Sequence, residues 1–327
     1  MRSIETPFSK LLDIRYPIIG APMFLVSNPD MVVKISESGG VGTLPSLNIR
    51  PQSELKTVLR SIKSRTKKPI GVNIIVNKSN TRQFEDLRDC LEAGVELFIT
   101  SLGNPQEVIK EAHKNGAKVL CDVTNVSFAK KVEDLGADGI IAVSSGAGGH
   151  AGHISPLVLI PWLKKSVRIP IIAAGGIAHG SQIAASLALG ADGVSVGTRF
   201  IASHEAQVVT DYKQAIVKAS PEDILMTSRI SGTPAAVIRT PFTEKLGTEL
   251  PWLIKKVNNN PVLKKFITPV IHLLGAKALE EAATKPTWKN VWSAGQSVGL
   301  IDEILSCEEI MERLVCEYFE AIKSLPS

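Results

Sequence analysis

Aromatic residues are scarce in this chain. Phe, Trp and Tyr together supply 5% of its 327 residues, although hydrophobic residues of all kinds reach 44%. A core of ordinary size is available, but Ile, Val, Leu and Ala have to build it, as in strands covered by helices on both faces. Cysteine is equally sparse: Cys90, Cys121, Cys307 and Cys316 form no CxxC pair and show no metal-ligand spacing. That excludes a zinc module and a disulfide framework, and free thiols in a reducing compartment are expected. No apolar run approaches the ~20 residues of a membrane span. The opening Met1–Pro7 segment has no apolar stretch of a signal peptide. A cytoplasmic protein with no membrane partner is expected. The net charge is only +5, and its one local excess, Lys255-Lys256 with Lys264-Lys265, has no interleaved aromatics. A nucleic-acid surface is therefore not expected.

What is present is a repeating phrase. Helix-like stretches end in glycine and a short apolar segment follows at once, at Gly94-Val95, Gly116-Ala117, Gly136-Ala137 and Gly190-Ala191. Glycine just past a helix closes it in the left-handed conformation. Repetition of that stop, twenty or so residues apart over the first three, predicts successive βα units and a parallel sheet. Apolar runs place eight strands, at Pro17–Ala21, Val41–Pro45, Ile70–Ile75, Leu97–Ser101, Lys118–Val123, Gly139–Val143, Ile171–Ala174 and Gly193–Gly197. Seven amphipathic segments alternate with them. An open doubly wound sheet would call for a GxGxxG turn after the first strand, but Gly20-Ala21-Pro22-Met23 stands there. The expected fold is thus α/β, a (β/α)8 TIM barrel over residues 1–224. Ser220–Pro241 reads as irregular, and 225–287 as a small, mainly helical inserted lobe. Residues 288–327 are expected to return to the barrel through an amphipathic helix at Ser306–Ile322.

Three glycine-rich motifs fall at strand ends, where barrel enzymes keep their chemistry. Gly175-Gly176 follows the seventh strand and Gly197-Thr198 closes the eighth. Loops at those two positions bind phosphate, because glycine lets backbone N–H groups approach the oxygens and a threonine adds a hydroxyl. Ser144–His153 follows the sixth strand, and its small residues isolate His150 as the candidate proton carrier. His153 has no such isolation. No carboxylate or third ligand is spaced to make the two histidines a metal site. Ala21, Pro22, Met23 and Asn73 end the first and third strands, and suit a flat aromatic cofactor with one polar edge.

Together with Trp292-Ser293-Ala294-Gly295-Gln296, these motifs resemble the nitronate monooxygenase family, in its order and spacing from about Tyr16 to Leu300. The GGH and GTRF motifs are shared with flavin-dependent enoyl-acyl-carrier-protein reductases and NADH:quinone reductases on the same barrel. The resemblance implies noncovalent FMN, its phosphate on Gly175, Gly176, Gly197 and Thr198. Ala21, Pro22, Met23, Asn73 and Gly148 would line the ring, and His150 would be catalytic. The implied reaction joins an alkyl nitronate with dioxygen to give a carbonyl compound and nitrite. The alternative is NAD(P)H-dependent reduction of quinones or enoyl thioesters. Oligomeric state stays open, with a homodimer among the options. One departure stands out: where some relatives carry a lysine near the flavin pyrimidine, this chain has Asp122.

Overall fold

The computed structural model describes residues 2–229, 234–246, 248 and 291–324. Its centre is a closed barrel of eight parallel strands. In chain order these are β1 (Ile18–Gly20), β2 (Val41–Pro45), β3 (Ile70–Ile75), β4 (Leu97–Ser101), β5 (Lys118–Val123) and β6 (Gly139–Val143), then β8 (Ile171–Ala174) and β9 (Gly193–Val196). β9 pairs back on β1, Ile18 opposite Val194, and closes the ring. The short β7 (Gly149–His150) lies outside it. The eight-strand barrel expected from the sequence is the one observed, each strand within a residue or so of its predicted limits. All four predicted helix-ending glycines have positive φ, between +75° and +103°.

The helices are α1 (Pro7–Leu12), α2 (Pro29–Glu37), α3 (Leu55–Arg65), α4 (Gln83–Glu92), α5 (Gln106–Lys114), α6 (Val126–Asp134), α7 (Pro156–Lys164), α8 (Gly180–Ala188), α9 (Thr198–Ile201), α10 (Thr210–Lys218), α11 (Pro241–Leu246) and α12 (Cys307–Ser324). Alternation along each strand divides the core in two. Outward residues such as Val72, Phe98, Val119 and Ile140 pack with Leu59, Ile62, Ile109 and Leu163 of the surrounding helices. Inward residues Ile19, Val41, Leu97, Ile99, Leu120, Ile141 and Ile172 fill the lumen. Each such aliphatic side chain contributes roughly 1.5–3 kcal/mol by leaving water. Phe8 and Leu12 of α1 join that inner cluster and plug the end of the barrel opposite the strand C-termini. The fit is tight, since a Cβ on Gly193 would stand 2.7 Å from Phe8 Cδ1. Helix α1 was not expected from the sequence. Its start rests on a capping box, in which Thr6 and Ser9 exchange side-chain to backbone hydrogen bonds.

Residues 220–241 depart from the irregular reading. β10 (Ile224–Thr227) and β11 (Ala235–Ile238) form an antiparallel hairpin, and β11 pairs on its other edge with β7, Ala235 opposite His150. All four β11 residues are buried, so it lacks the alternation that marks a half-exposed strand. The partners on that other edge lie some eighty residues upstream and fifty downstream, the latter through an Ile238 N–H bond to the Trp292 carbonyl at 2.8 Å. A tertiary pairing of that kind leaves no local signature. Residues 247 and 249–290, where most of the helical lobe is expected, lie outside the described residues. The C-terminal α12 buries Ile310, Met311 and Leu314 in one cluster with Ile35 of α2 and Ile183 of α8.

Candidate active site

The inward-facing residues nearest the strand C-termini differ across the barrel mouth. From β6 through β8 and β9 to β1 they are Val143, Ala174, Gly197 and Ala21, all partly exposed. From β2 through β5 the same faces carry Thr43, Asn73, Ser101 and Asp122, with Pro45 and Ile75 beyond Thr43 and Asn73 at the ends of β2 and β3. One half is small and apolar. The other is polar, and Asp122 is its ionisable member.

The small half is assembled backbone against backbone. Gly175 has φ +111°, and a Cβ there would meet the Ala147 nitrogen at 2.6 Å and Ser144 Oγ at 2.7 Å. Gly176 follows with φ +78° and abuts Gly146. Gly295 is equally confined, its notional Cβ 2.4 Å from the Gly146 carbonyl and 2.8 Å from the Gly148 nitrogen. A Cβ at Gly197 would stand at ordinary contact distance from Ala21 and Met23, 3.6 and 3.7 Å away. Thr198 Oγ1 accepts a 3.0 Å hydrogen bond from Gly295 N–H, which uses a lone pair and leaves the hydroxyl proton to donate. Gly148, Gly175, Gly176, Gly197, Thr198, Ala21 and Met23 are thus brought together by one circuit of contacts. Pro22 sits between the last two, partly exposed.

Two helix starts stand near these loops, and they differ. The N-terminus of α8 is occupied: Glu317 of α12 accepts the Gly180 N–H at 2.7 Å. Short α9 begins at Thr198, whose N–H has no acceptor within its own helix. A phosphate fits the α9 start and the Gly175-Gly176 turn. Among the described residues the cradle is lined with backbone and a hydroxyl, with no carboxylate. His179 caps α8 and Gln182 holds the preceding loop, accepting from Ala178 and His179 and donating to the Gly176 carbonyl.

The polar half is a chain of side-chain hydrogen bonds. Asn73 Nδ2 donates to the Ile99 carbonyl at 3.1 Å and to Ser101 Oγ at 2.8 Å. Ser101 in turn donates to Asp122 Oδ2 at 2.5 Å. A carbonyl only accepts, so the Ile99 contact fixes which way the amide faces and leaves Asn73 Oδ1 to meet a ligand N–H. Burial pushes the Asp122 carboxyl up to about 6 against the Ser101 bond, which acts to lower it. Among the described residues no lysine or arginine takes part. Thr43 is spent on the Gly20 carbonyl, 2.5 Å away.

His150 stands exposed at the rim, one end of the two-residue β7. The glycine-rich loop around it is not free: Gly149 and His150 are laddered to Ala236 and Ala235. Next to it on the same β11 edge runs the Trp292–Gly295 segment, held by a Val237–Ser293 bridge. Tyr212 fixes that segment from behind. Its ring stacks on Trp292 with centroids 5.4 Å apart, and its hydroxyl donates to the Ser293 carbonyl at 2.5 Å.

Several positioning residues escaped the sequence reading. Ser101 completes the polar chain. Asn48 clamps the β1–α2 loop, accepting from Leu25 N–H and donating to the Met23 and Ser27 carbonyls. Ser27 accepts from Met23 N–H and donates to the Ala21 carbonyl. No glycine motif surrounds them, and each acts on a segment more than twenty residues away or through a loop, so the sequence holds no local signal. Among the described residues no group of three His, Cys, Asp or Glu side chains is placed to hold a metal ion. No described helix is long and apolar enough to cross a membrane.

The family model described as nitronate monooxygenase matches residues 5–317. Over 99% of both sequences the chain is 28% identical to the (3aS,4S,5R,7aS)-5-hydroxy-7a-methyl-1-oxo-octahydro-1H-indene-4-carboxyl-CoA dehydrogenase of Rhodococcus jostii (strain RHA1). FabK from Thermotoga maritima is 35% identical and superposes with a TM-score of 0.85, covering 98% of each chain. Nitroalkane oxidase from Streptomyces ansochromogenes is 26% identical with a TM-score of 0.82, covering 98% of this chain and all of its own.

Proposed function

The chain belongs to the nitronate monooxygenase family, whose members are flavin oxidoreductases in general, and from that premise we propose that it binds FMN and oxidises alkyl nitronates with dioxygen to carbonyl compounds and nitrite. The observation that supports this most is the two-sided mouth with a histidine fixed at its rim. A flat ring with one polar edge fits between a wall of small residues and a wall of hydrogen-bonding ones. Gly175, Gly176, Gly197 and Thr198 would hold the phosphate by backbone N–H groups and one hydroxyl. Ala21, Pro22, Met23 and Gly148 would flank the ring, and Asn73 Oδ1 would accept from its N–H. FMN would supply the electron acceptor that no side chain here can provide.

His150 would hold the anionic nitronate when protonated, or take a proton from the neutral nitroalkane when not. Its strand pairing with Ala235 fixes the backbone from which the imidazole reaches, which preserves geometry between turnovers. His150→Ala is expected to lower turnover by about 100-fold or more with FMN still bound, since the phosphate cradle is separate. Unchanged turnover would remove His150 from the mechanism.

A second reading, NAD(P)H-dependent redox chemistry on a quinone or an acyl thioester, draws support from apolar side chains at the mouth. Leu102, just after β4, and Phe128, at the start of α6, are 47% and 55% exposed, a surface suited to a larger hydrophobic substrate. The Rhodococcus relative is named for a carboxyl-CoA substrate. Anaerobic stopped-flow mixing separates the two. Fast flavin bleaching by propyl-2-nitronate is expected. Bleaching by NADH or NADPH but not by the nitronate would overturn the first reading in favour of the second.

A further inference from the structure

Asp122 is the one ionisable group among the described inward-facing residues at the mouth, and the described residues that face it are uncharged. Ser101 faces it from β4, with Asn73 behind on β3. Ile141 of β6 lies opposite in register. Cys121, its neighbour on β5, turns outward to Thr100, and burial raises that thiol to about 12, so it stays neutral. Among the described residues no lysine, arginine or second carboxylate contributes to the state of Asp122.

The hydrogen-bond chain also has a direction. Both Asn73 amide protons and the Ser101 proton are already donated, so with Asp122 ionised this wall can only accept. An acceptor-only wall suits one ring N–H but opposes the carbonyl oxygens on either side of it. It opposes them more strongly once the ring holds added negative charge. A proton on Asp122 reverses both effects, because the carboxyl becomes a donor and its charge is lost.

We propose that Asp122 takes up a proton when the bound flavin gains its electron pair, so that the protein carries the second proton of the two-electron reduction. In balance, two electrons and one proton enter the ring and leave it with one negative charge. One further proton from solvent converts the Asp122 carboxylate to the neutral acid, and the total charge of the site is unchanged. The ring acquires a hydrogen-bond donor at the moment its oxygen atoms become better acceptors. This inference rests on the FMN reading above.

The test is equilibrium potentiometry of the FMN-bound protein between pH 7 and 9, with the pH slope of the midpoint potential read as protons per two electrons. Two protons are expected for the wild type and one for Asp122→Asn, which keeps the Ser101 bond through its amide oxygen. Reduced-minus-oxidised infrared difference spectra are expected to show a protonated-carboxyl C=O band that appears on reduction in the wild type and is missing in the variant. Ser101→Ala provides a second arm that does not depend on folding of the first variant. Losing the bond that favours the carboxylate, it should keep the protonated-acid band of the oxidised protein to a higher pH than the wild type does. One proton in both proteins, two in both, or a difference spectrum without the carboxyl band would overturn the proposal. A colourless protein that does not quench the fluorescence of added FMN would overturn the FMN reading itself. A yellow protein with one proton would overturn only the role of Asp122.

Discussion

The two halves of the barrel mouth are built by opposite means. On the β6, β8, β9 and β1 side, position is set by what is missing: Gly146, Gly148, Gly175 and Gly295 let three backbone segments meet at distances where a Cβ would collide. On the β2 to β5 side, position is set by what is added: Asn73, Ser101 and Asp122 reach across neighbouring strands and bond in series. The difference teaches where each half is vulnerable. Close-packed backbone has no flexible side chain that can move aside, so an added methyl forces the loops apart. A hydrogen-bond chain open to the mouth can lose one link and recruit water in its place.

The largest expected effect comes from breaking the first half. Gly175→Ala would place a Cβ on a residue with φ +111° and 2.6 Å from the Ala147 nitrogen. A cost of about 2–4 kcal/mol is expected from strain and overlap together. Thermal denaturation should show a lowered midpoint, and the purified protein should carry little flavin. A variant as stable and as yellow as the wild type would mean that the loops are not locked. Thr198→Val sharpens the same contact with a smaller change. The buried Gly295 N–H loses its acceptor, worth about 1–3 kcal/mol. Retention of the proposed FMN, followed by fluorescence on dilution, should weaken about tenfold. Thr198→Ser should restore it. Failure of serine to do so would assign the loss to the methyl group rather than the hydroxyl.

The same contrast governs how much could be read from the sequence. Barrel strands and the glycine cradle are local: each strand is a short apolar run, and Gly175-Gly176 or Gly197-Thr198 declares itself within a few residues. The polar half spreads over Asn73, Ser101 and Asp122, on three strands more than twenty residues apart. Asn73 was legible from its place at the end of the third strand, Asp122 only through a family resemblance, and Ser101, the link between them, not at all. A serine at the end of a strand is too common to carry a signal before register is known. Strands β10 and β11 were opaque for a related reason, since one edge of β11 is held by distant partners at His150 and Ser293. The plug helix α1 is six residues long and depends on tertiary burial of Phe8 and Leu12, too short for periodicity to mark.

The smallest effect, and the one that isolates the polar half, is the pH dependence of folding in flavin-free protein. The Asp122 carboxyl lies at about 6 when folded, against an ordinary 3.8. Below both values the group is protonated in either state and contributes nothing. As pH rises between them the unfolded chain releases the proton while the folded chain keeps it, so the folded state binds more protons and stability falls. Above about 6 the penalty is complete. Asp122→Asn removes the titration and keeps the bond from Ser101, so it should melt at a higher temperature than the wild type at pH 8 and at nearly the same temperature at pH 4. The gain should be on the order of 1 kcal/mol, because water at the open mouth screens part of the charge. The small half offers no such lever, as none of its described inward-facing residues is ionisable. A wild type and variant that differ equally at both pH values would show that the carboxylate is satisfied in place. The two halves would then differ in packing alone, not in charge.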